Sequence, residues 1–251
     1  MLNGNKFFIS YQIMSNVTID NSWVHLGLLI DRSGSMEQMD TKELAKSATS
    51  LIKEQRQSPG IERVTATVAN FDEQFQIISR NKDASTLEIT EKDIQPRGMT
   101  ALYTSIGRII NIIGKDLSDM TDKRPGTVVI IVMTDGEQTC HSLRNREESD
   151  APFEGPDGNK HLCDIVKHQE DTYSWKFFML GTNIDAIKEG TKMGFTPETC
   201  INYSHSTDGG VEVFRTTSNA VSRFTEFNTS VDKNDSQFEG YTQDERISSM
   251  N

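Results

Sequence analysis

Cysteine, tryptophan, proline and positive charge are all scarce in this chain, and no apolar run is long. Three cysteines in 251 residues, Cys140, Cys163 and Cys200, form an odd set without disulfide-framework spacing. That argues against a disulfide-stapled secreted scaffold and points to a reducing, cytoplasmic setting. Lys and Arg number 26 against 37 Asp and Glu, a formal charge of −11. Such a balance offers no basic face for phosphate backbones, so nucleic acid is not an expected partner. No stretch approaches the ~20 apolar residues that span a bilayer. Phe7-Phe8-Ile9 lacks the small-residue cleavage site of a signal peptide. Neither a membrane partner nor a signal peptide is predicted. No Gly-x-Gly-x-x-Gly or Walker loop follows an apolar run, which leaves no nucleotide cradle.

What is present is an alternation of strand and helix patterns long enough for one α/β domain with its own core. An apolar run ends at Asp31. Lys42 to Gln57 then carries Leu44, Ala45, Ala48, Leu51 and Ile52 at helical spacing, with Asp40 or Thr41 as the cap. Ser58-Pro59-Gly60 stops that helix. Arg63 to Phe71 is β-branched and pairs through a hairpin at Asp72-Glu73 with an edge strand from Gln74 to Ser79. A second helix is predicted over 100–120 and a central strand up to Asp135. Helices follow over 161–171, 184–193 and 210–224, with strands at 175–180 and 200–203 between them. This order implies a doubly wound, mostly parallel, Rossmann-like sheet with helices on both faces. Residues 1–22 are expected to be an N-terminal extension and 23–227 the domain. Residues 142–159, charged and rich in Gly and Pro, are expected to be an inserted surface loop. Residues 228–251, polar and poor in apolar side chains, are expected to be a disordered tail.

Two strand ends carry chemistry. His25-Leu26-Gly27-Leu28-Leu29-Ile30 runs into Asp31-Arg32-Ser33-Gly34-Ser35, an acid followed by two hydroxyls at alternate positions. Val128 to Met133 runs into Thr134-Asp135-Gly136. Between them, Arg97-Gly98-Met99-Thr100-Ala101-Leu102 places a hydroxyl where a helical pattern begins. In a doubly wound sheet ligands bind at the carboxyl ends of strands where the crossovers diverge. Asp31, Ser33, Ser35, Thr100 and Asp135 would supply hard oxygen ligands there, suited to Mg²⁺.

These three pieces, in this order and strand context, resemble the metal-ion-dependent adhesion site of the von Willebrand factor type A family. The resemblance extends over about Trp23 to Phe224. Trp175 to Asn183 looks like the stand-alone members found in bacteria and their phages. It implies that Ser33, Ser35 and Thr100 ligate Mg²⁺ (or Mn²⁺) directly, while Asp31 and Asp135 act largely through water. A cation held mainly by neutral hydroxyls stays electron-poor and favours an anionic sixth ligand. The implied function is therefore protein–protein recognition, with the partner presenting an Asp or Glu, and no catalysis. The inserted loop after Asp135 departs from the compact family pattern.

The rival reading is a metal-dependent phosphoryl-transfer enzyme or hydrolase with Asp31 as nucleophile or water-orienter. Ser33 stands where a general acid would be expected, which favours ligation. Cys140-His141 and His161-x-Cys163 flank the inserted loop, but they lack zinc-site spacing and are expected to be ordinary loop and helix residues. Cys200, His25 and His168 are read as structural, and Trp175, Phe177 and Phe178 as part of a buried strand. His205 follows a strand end and could lie near the site.

Overall fold

The computed structural model describes residues 17–230 and 238–250. The apolar run before Asp31 is a strand, β1 (Thr18–Asp31), buried from Val24 onward. It is followed by α1 (Thr41–Glu54), β2 (Arg63–Phe71), β3 (Phe75–Asp83), α2 (Leu102–Ser118) and β4 (Lys123–Thr134). Then come α3 (Gly158–Tyr173), β5 (Lys176–Gly181), α4 (Ala186–Lys192), β6 (Cys200–Asn202), α5 (Thr207–Thr229) and α6 (Gln243–Ser248). The described strands form one sheet in the order β3-β2-β1-β4-β5-β6, parallel throughout except for the β2–β3 hairpin. The doubly wound architecture expected from the alternation is what the chain adopts.

Period-two geometry sorts the core. Leu26, Leu28, Ile30, Val129, Ile131, Met133, Phe178 and Leu180 face one side, where α1 and α5 pack. Leu29, Ile130, Val132, Phe177 and Met179 face the other, beneath α2 and α3. Gly27 sits in that second row. A Cβ there would lie 2.5 Å from Ile130 Cδ1 and 2.6 Å from Ile113 Cδ1, so its absence lets α2 settle onto the sheet. α1 begins where its cap predicts, with the Asp40 carboxylate accepting from Lys42 N and Glu43 N at 2.9 and 3.1 Å.

His25 is structural. Thr65 Oγ1 accepts from Trp23 Nε1 at 2.8 Å, so its own proton goes to His25 Nδ1, also at 2.8 Å. His25 Nε2–H then faces Thr67 Oγ1 at 3.2 Å. Complete burial holds this imidazole neutral, its pKa pushed down to about 4.

Three expectations are corrected. Residues 18–22, assigned to the extension, belong to β1, where Ile19 pairs with Arg124 of β4; residues 1–16 lie outside the described residues. The inserted surface segment, expected as loop to residue 159, carries a helical turn at Glu148–Phe153 and is anchored. Leu143 and Phe153 are buried, and α3 already begins at Gly158. The Asn145 side chain bonds both Phe75 N and Phe75 O, at 3.0 and 2.7 Å. Arg108 of α2 forms a buried ion pair with Asp150 and donates to Asn145 O at 3.0 Å. The segment from 238 to 250 is also ordered, whereas 231–237 lie outside the described residues. Tyr241 is buried and its hydroxyl meets Thr217 Oγ1 at 2.8 Å, while Phe238 packs on Phe178 and Phe224. Arg223 grips both oxygens of Glu245, and Arg246 donates to the carbonyls of Cys200, Pro197 and Glu198. Those bonds cover the outer edge of β6 that would otherwise lie open.

The buried Arg108–Asp150 pair generates a stability prediction. Asp150→Ala leaves an uncompensated guanidinium in the interior and should cost about 3–5 kcal/mol in urea unfolding. The double variant Arg108→Met/Asp150→Leu should recover most of that loss. An Asp150→Ala protein as stable as wild type would show that the segment is not held in this way.

Candidate metal centre

β1 and β4 are adjacent and parallel, with Ile30 level with Met133, so Asp31 and Asp135 emerge on the same rim. The crossovers after them go to opposite faces, which opens a crevice at this point. Asp31 is fully buried. Its Oδ1 accepts from Ser33 N at 2.7 Å, an Asx turn that bends the chain sharply away from the strand. Its Oδ2 lies 2.6 Å from Thr134 Oγ1. The turn brings Ser33 and Ser35 back over the rim, their Oγ atoms 3.1 Å apart. Both hydroxyls point at Asp135 Oδ1, from 3.4 Å for Ser33 and 2.7 Å for Ser35.

The loop carrying Thr100 is strapped to the same turn. Arg97 N donates to Arg32 O at 2.7 Å, and Gly34 N to Gly98 O at 3.2 Å. On its other side, Thr100 N donates to Thr139 Oγ1 at 2.9 Å, and Thr100 O accepts from both Thr139 N and Cys140 N. Thr100 is buried at this rim, not at the opposite end of the sheet. The start of the inserted segment borders it too, through the Arg144–Glu73 pair and Arg144 N to Glu73 O. Beneath the loop, the Asp72 carboxylate accepts from Gln74 N and from Arg97 Nε, both at 2.6 Å, with Arg32 Nε 3.1 Å away.

Acceptors outnumber donors here. Thr134 Oγ1 has one proton and two acceptors, Asp31 Oδ2 and Gly136 O at 3.0 Å. Burial, opposed by these hydrogen bonds and aided by the neighbouring Asp135 charge, pushes the Asp31 pKa up to about 7. A protonated Asp31 would resolve the shortage by donating to Thr134. Asp135 is equally buried, yet its Oδ2 has no hydrogen-bond partner. The Tyr203 hydroxyl, also buried and unpartnered, has its pKa raised by burial and then by the charges of Asp135 and Asp31. His205 Nε2 lies 3.4 Å from Asp135 Oδ2.

This donor set suits a small hard cation. Ser33 Oγ, Ser35 Oγ and Asp135 Oδ1 form a triangle with edges of 3.1, 2.7 and 3.4 Å. An octahedral ion with ligands at ~2.1 Å has edges of ~3.0 Å, which these distances bracket. An unpartnered oxygen on Asp135 and a raised Asp31 pKa mark a rim rich in acceptors, which a cation would suit. The Cys140-His141 and His161-x-Cys163 pairs, expected to be ordinary loop and helix residues, make local contacts. Cys140 Sγ contacts Ser142 O, His141 bonds Gln138, and His161 packs edge-on against Phe153. Among the described residues no group of three or more His, Cys, Asp or Glu side chains is arranged to hold a metal. At the Asp31–Asp135 rim the further oxygens are those of hydroxyls, Ser33, Ser35 and Thr134. Tyr203 was missed by sequence reasoning, and Thr134 was read as part of the motif without a role of its own. The available signal was their position at the carboxyl ends of parallel strands, where side chains converge.

The raised Asp31 makes a pH prediction. Folded Asp31 keeps its proton to about pH 7, whereas an unfolded Asp releases it near ~3.9. The folded state binds the extra proton between those values, so stability falls as pH rises from ~4 to ~7 and stays lower above. Asp31→Asn in chelator should therefore gain on the order of 1–3 kcal/mol at pH 8 and little at pH 4. Adding Mg²⁺ at pH 8 should raise the melting temperature of wild type but not of the variant. Equal stability of both proteins across this range would refute the assignment of strain to Asp31.

Compared with protein-family models and with curated proteins, the sequence has no match. Solved structures share its fold. The vWF domain of the type V pili tip protein Mfa5 from Porphyromonas gingivalis superposes with a TM-score of 0.56 at 12% identity. That likeness covers 80% of this chain and 96% of that one. The pilus adhesin SpaC from Lactobacillus rhamnosus GG gives 0.55 at 14% identity, over 84% of this chain and 31% of that one. Proximal thread matrix protein 1 from the mussel byssus gives 0.47 at 15% identity, over 80% of this chain. The present chain spans 46% of that protein's length.

Proposed function

We propose that this chain, whose fold is that of a von Willebrand factor type A domain, is a protein-recognition module that docks an acidic side chain of its partner on Mg²⁺ or Mn²⁺. Ser33, Ser35 and Thr100 would hold the ion through their hydroxyls, with Asp31 and Asp135 orienting those hydroxyls and the ion's waters. The observation that carries this reading is the oxygen triangle of Ser33, Ser35 and Asp135 beside an unpartnered buried carboxylate oxygen. When bound, the cation supplies a positive point with an open coordination position. The chain's own contribution is to hold neutral oxygens around that point, so that the charge is not quenched.

The sign of the charge matters for the choice of partner. A protein of net charge −11 repels an acidic ligand, and screening confines that repulsion to roughly 8–10 Å at physiological salt. A cation at the rim reverses the field locally. The surrounding loops would then set specificity, among them Met99, half-exposed beside Thr100, and the anchored segment after Asp135. Two of the structures sharing the fold are named as a pili tip protein and a pilus adhesin, which fits recognition rather than turnover. The hydrolase alternative is less well served: Asp31 is fully buried and both of its oxygens are engaged, leaving no free nucleophile. A reducing compartment suits the three unpaired cysteines. Among the described residues no helix is long and apolar enough to cross a membrane.

Partner capture from a lysate by the immobilised chain should require Mg²⁺ or Mn²⁺ and be lost in chelator, in Ser33→Ala and in Thr100→Ala. Substituting the contacting Asp or Glu of the recovered partner should abolish binding. An aryl-phosphate assay with Mg²⁺ should show no turnover. A partner bound equally well in chelator and by both variants would overturn the reading.

A further inference from the structure

Asp135 presents its two oxygens to different surroundings. Oδ1 faces the hydroxyls of Ser33 and Ser35, while Oδ2 is buried, has no hydrogen-bond partner and faces His205. His205 Nε2 is likewise buried and without a hydrogen-bond partner, 3.4 Å from Asp135 Oδ2. An imidazole N–H donating to a carboxylate would normally close to about 2.7–2.9 Å with good alignment. Two orphaned donor atoms held at this separation instead match the edge between two ligands of one ion. For ligands at ~2.0–2.1 Å that edge is ~3.0 Å in an octahedron and ~3.4 Å in a tetrahedron. The oxygen is on a carboxylate nine-tenths buried or more, and it is aimed at the imidazole.

The loop holding His205 is built on both sides. Tyr203 N donates to Gly181 O at 3.0 Å and Ser204 N to Ser249 O at 2.8 Å. Ser206 caps α5 by accepting from Gly209 N at 3.0 Å, and its hydroxyl meets that of Ser204 at 3.0 Å. The His205 side chain is 18% exposed, which leaves a path from solvent. Surroundings elsewhere account for the other histidines. His25 bonds two threonines, His141 bonds Gln138, His161 packs on Phe153, and His168 meets Thr172 and Tyr173.

We propose that His205 is a nitrogen ligand of this centre, so that the site takes a borderline first-row ion such as Co²⁺ or Zn²⁺ in preference to Mg²⁺. The proposal rests on the metal-site reading above and extends it to the identity of the ion. Oxygen-only sets suit Mg²⁺, whereas an imidazole adds affinity for the later divalent ions, which hold nitrogen more strongly. His205 would then add a nitrogen donor, beside Asp135, to a set otherwise made of oxygens.

The full chain loaded with Mn²⁺ tests this by pulsed electron paramagnetic resonance. Directly bound imidazole should give ¹⁴N modulation in wild type, a ¹⁵N pattern after ¹⁵N-histidine labelling, and none in His205→Gln. Calorimetry in parallel should show tighter binding of Co²⁺ than of Mg²⁺ by wild type. His205→Gln should lose at least the roughly tenfold Co²⁺ affinity that loss of an outer-shell partner costs, and keep its Mg²⁺ affinity. Should the variant fail to fold, the wild-type spectrum alone decides. Bound Mn²⁺ without nitrogen coupling, or coupling that persists in His205→Gln, overturns the proposal while leaving the oxygen site standing. No binding of any of these ions overturns both readings.

Discussion

Two carboxylates buried side by side at the end of a parallel sheet are the constraint around which this molecule is arranged. Asp31 and Asp135 are both withdrawn from water, and their charges repel. Burying an ionised carboxylate costs several kcal/mol unless it is paired or hydrogen-bonded. The backbone N–H of Ser33 and the hydroxyls of Thr134, Ser33 and Ser35 offset part of that cost. They do not offset all of it, and the remainder appears as an orphaned Asp135 oxygen facing an orphaned imidazole nitrogen. A rim left with surplus acceptors is unfavourable for an isolated fold and favourable for one that binds a cation.

The rest of the rim prevents that strain from relaxing. Backbone bonds tie the Asp31 turn to the Thr100 loop, and the Thr100 loop to residues 139 and 140. Asp72 draws Arg32 and Arg97 together below the loop, which fixes its approach. Farther out, the Arg108–Asp150 pair and Phe153 pin the inserted segment against α2, with no room for a Cβ at Gly107 under the Phe153 ring. The rim is thus preorganised by contacts that lie mostly outside it, as the proposed metal centre would require with weak neutral hydroxyls as donors.

Much of this was legible in the chain. Apolar runs ending in Asp31 and Asp135 announced central strands, and the spacing of Leu44, Ala48, Leu51 and Ile52 announced a helix. Both signals are periodic and reinforced by caps and stops. The segments misjudged, 142–159 and 238–250, lack periodicity. Each is held by a few anchors, Phe153 with Asp150 in one and Phe238 with Tyr241 in the other. Composition averages over such anchors, so a polar stretch with two well-placed aromatics looks like a tail. Residues 18–22 were set outside the domain for a similar reason: the start of β1 is half-polar and becomes a strand by pairing with β4.

By itself, then, the sequence determined the order of elements, the faces they bury and the five oxygen-bearing residues of the rim. Those follow from local periodicity and from where hydrophobic runs stop. Only the tertiary structure decided which groups meet at that rim. The Ile30–Met133 register sets Asp135 against Ser35, and the return of β6 beside β5 carries Tyr203 and His205 to the same edge. His205 and Tyr203 lie outside the motif that marks the site. Parallel strands far apart in sequence converge at their carboxyl ends, and that convergence cannot be read from any one of them.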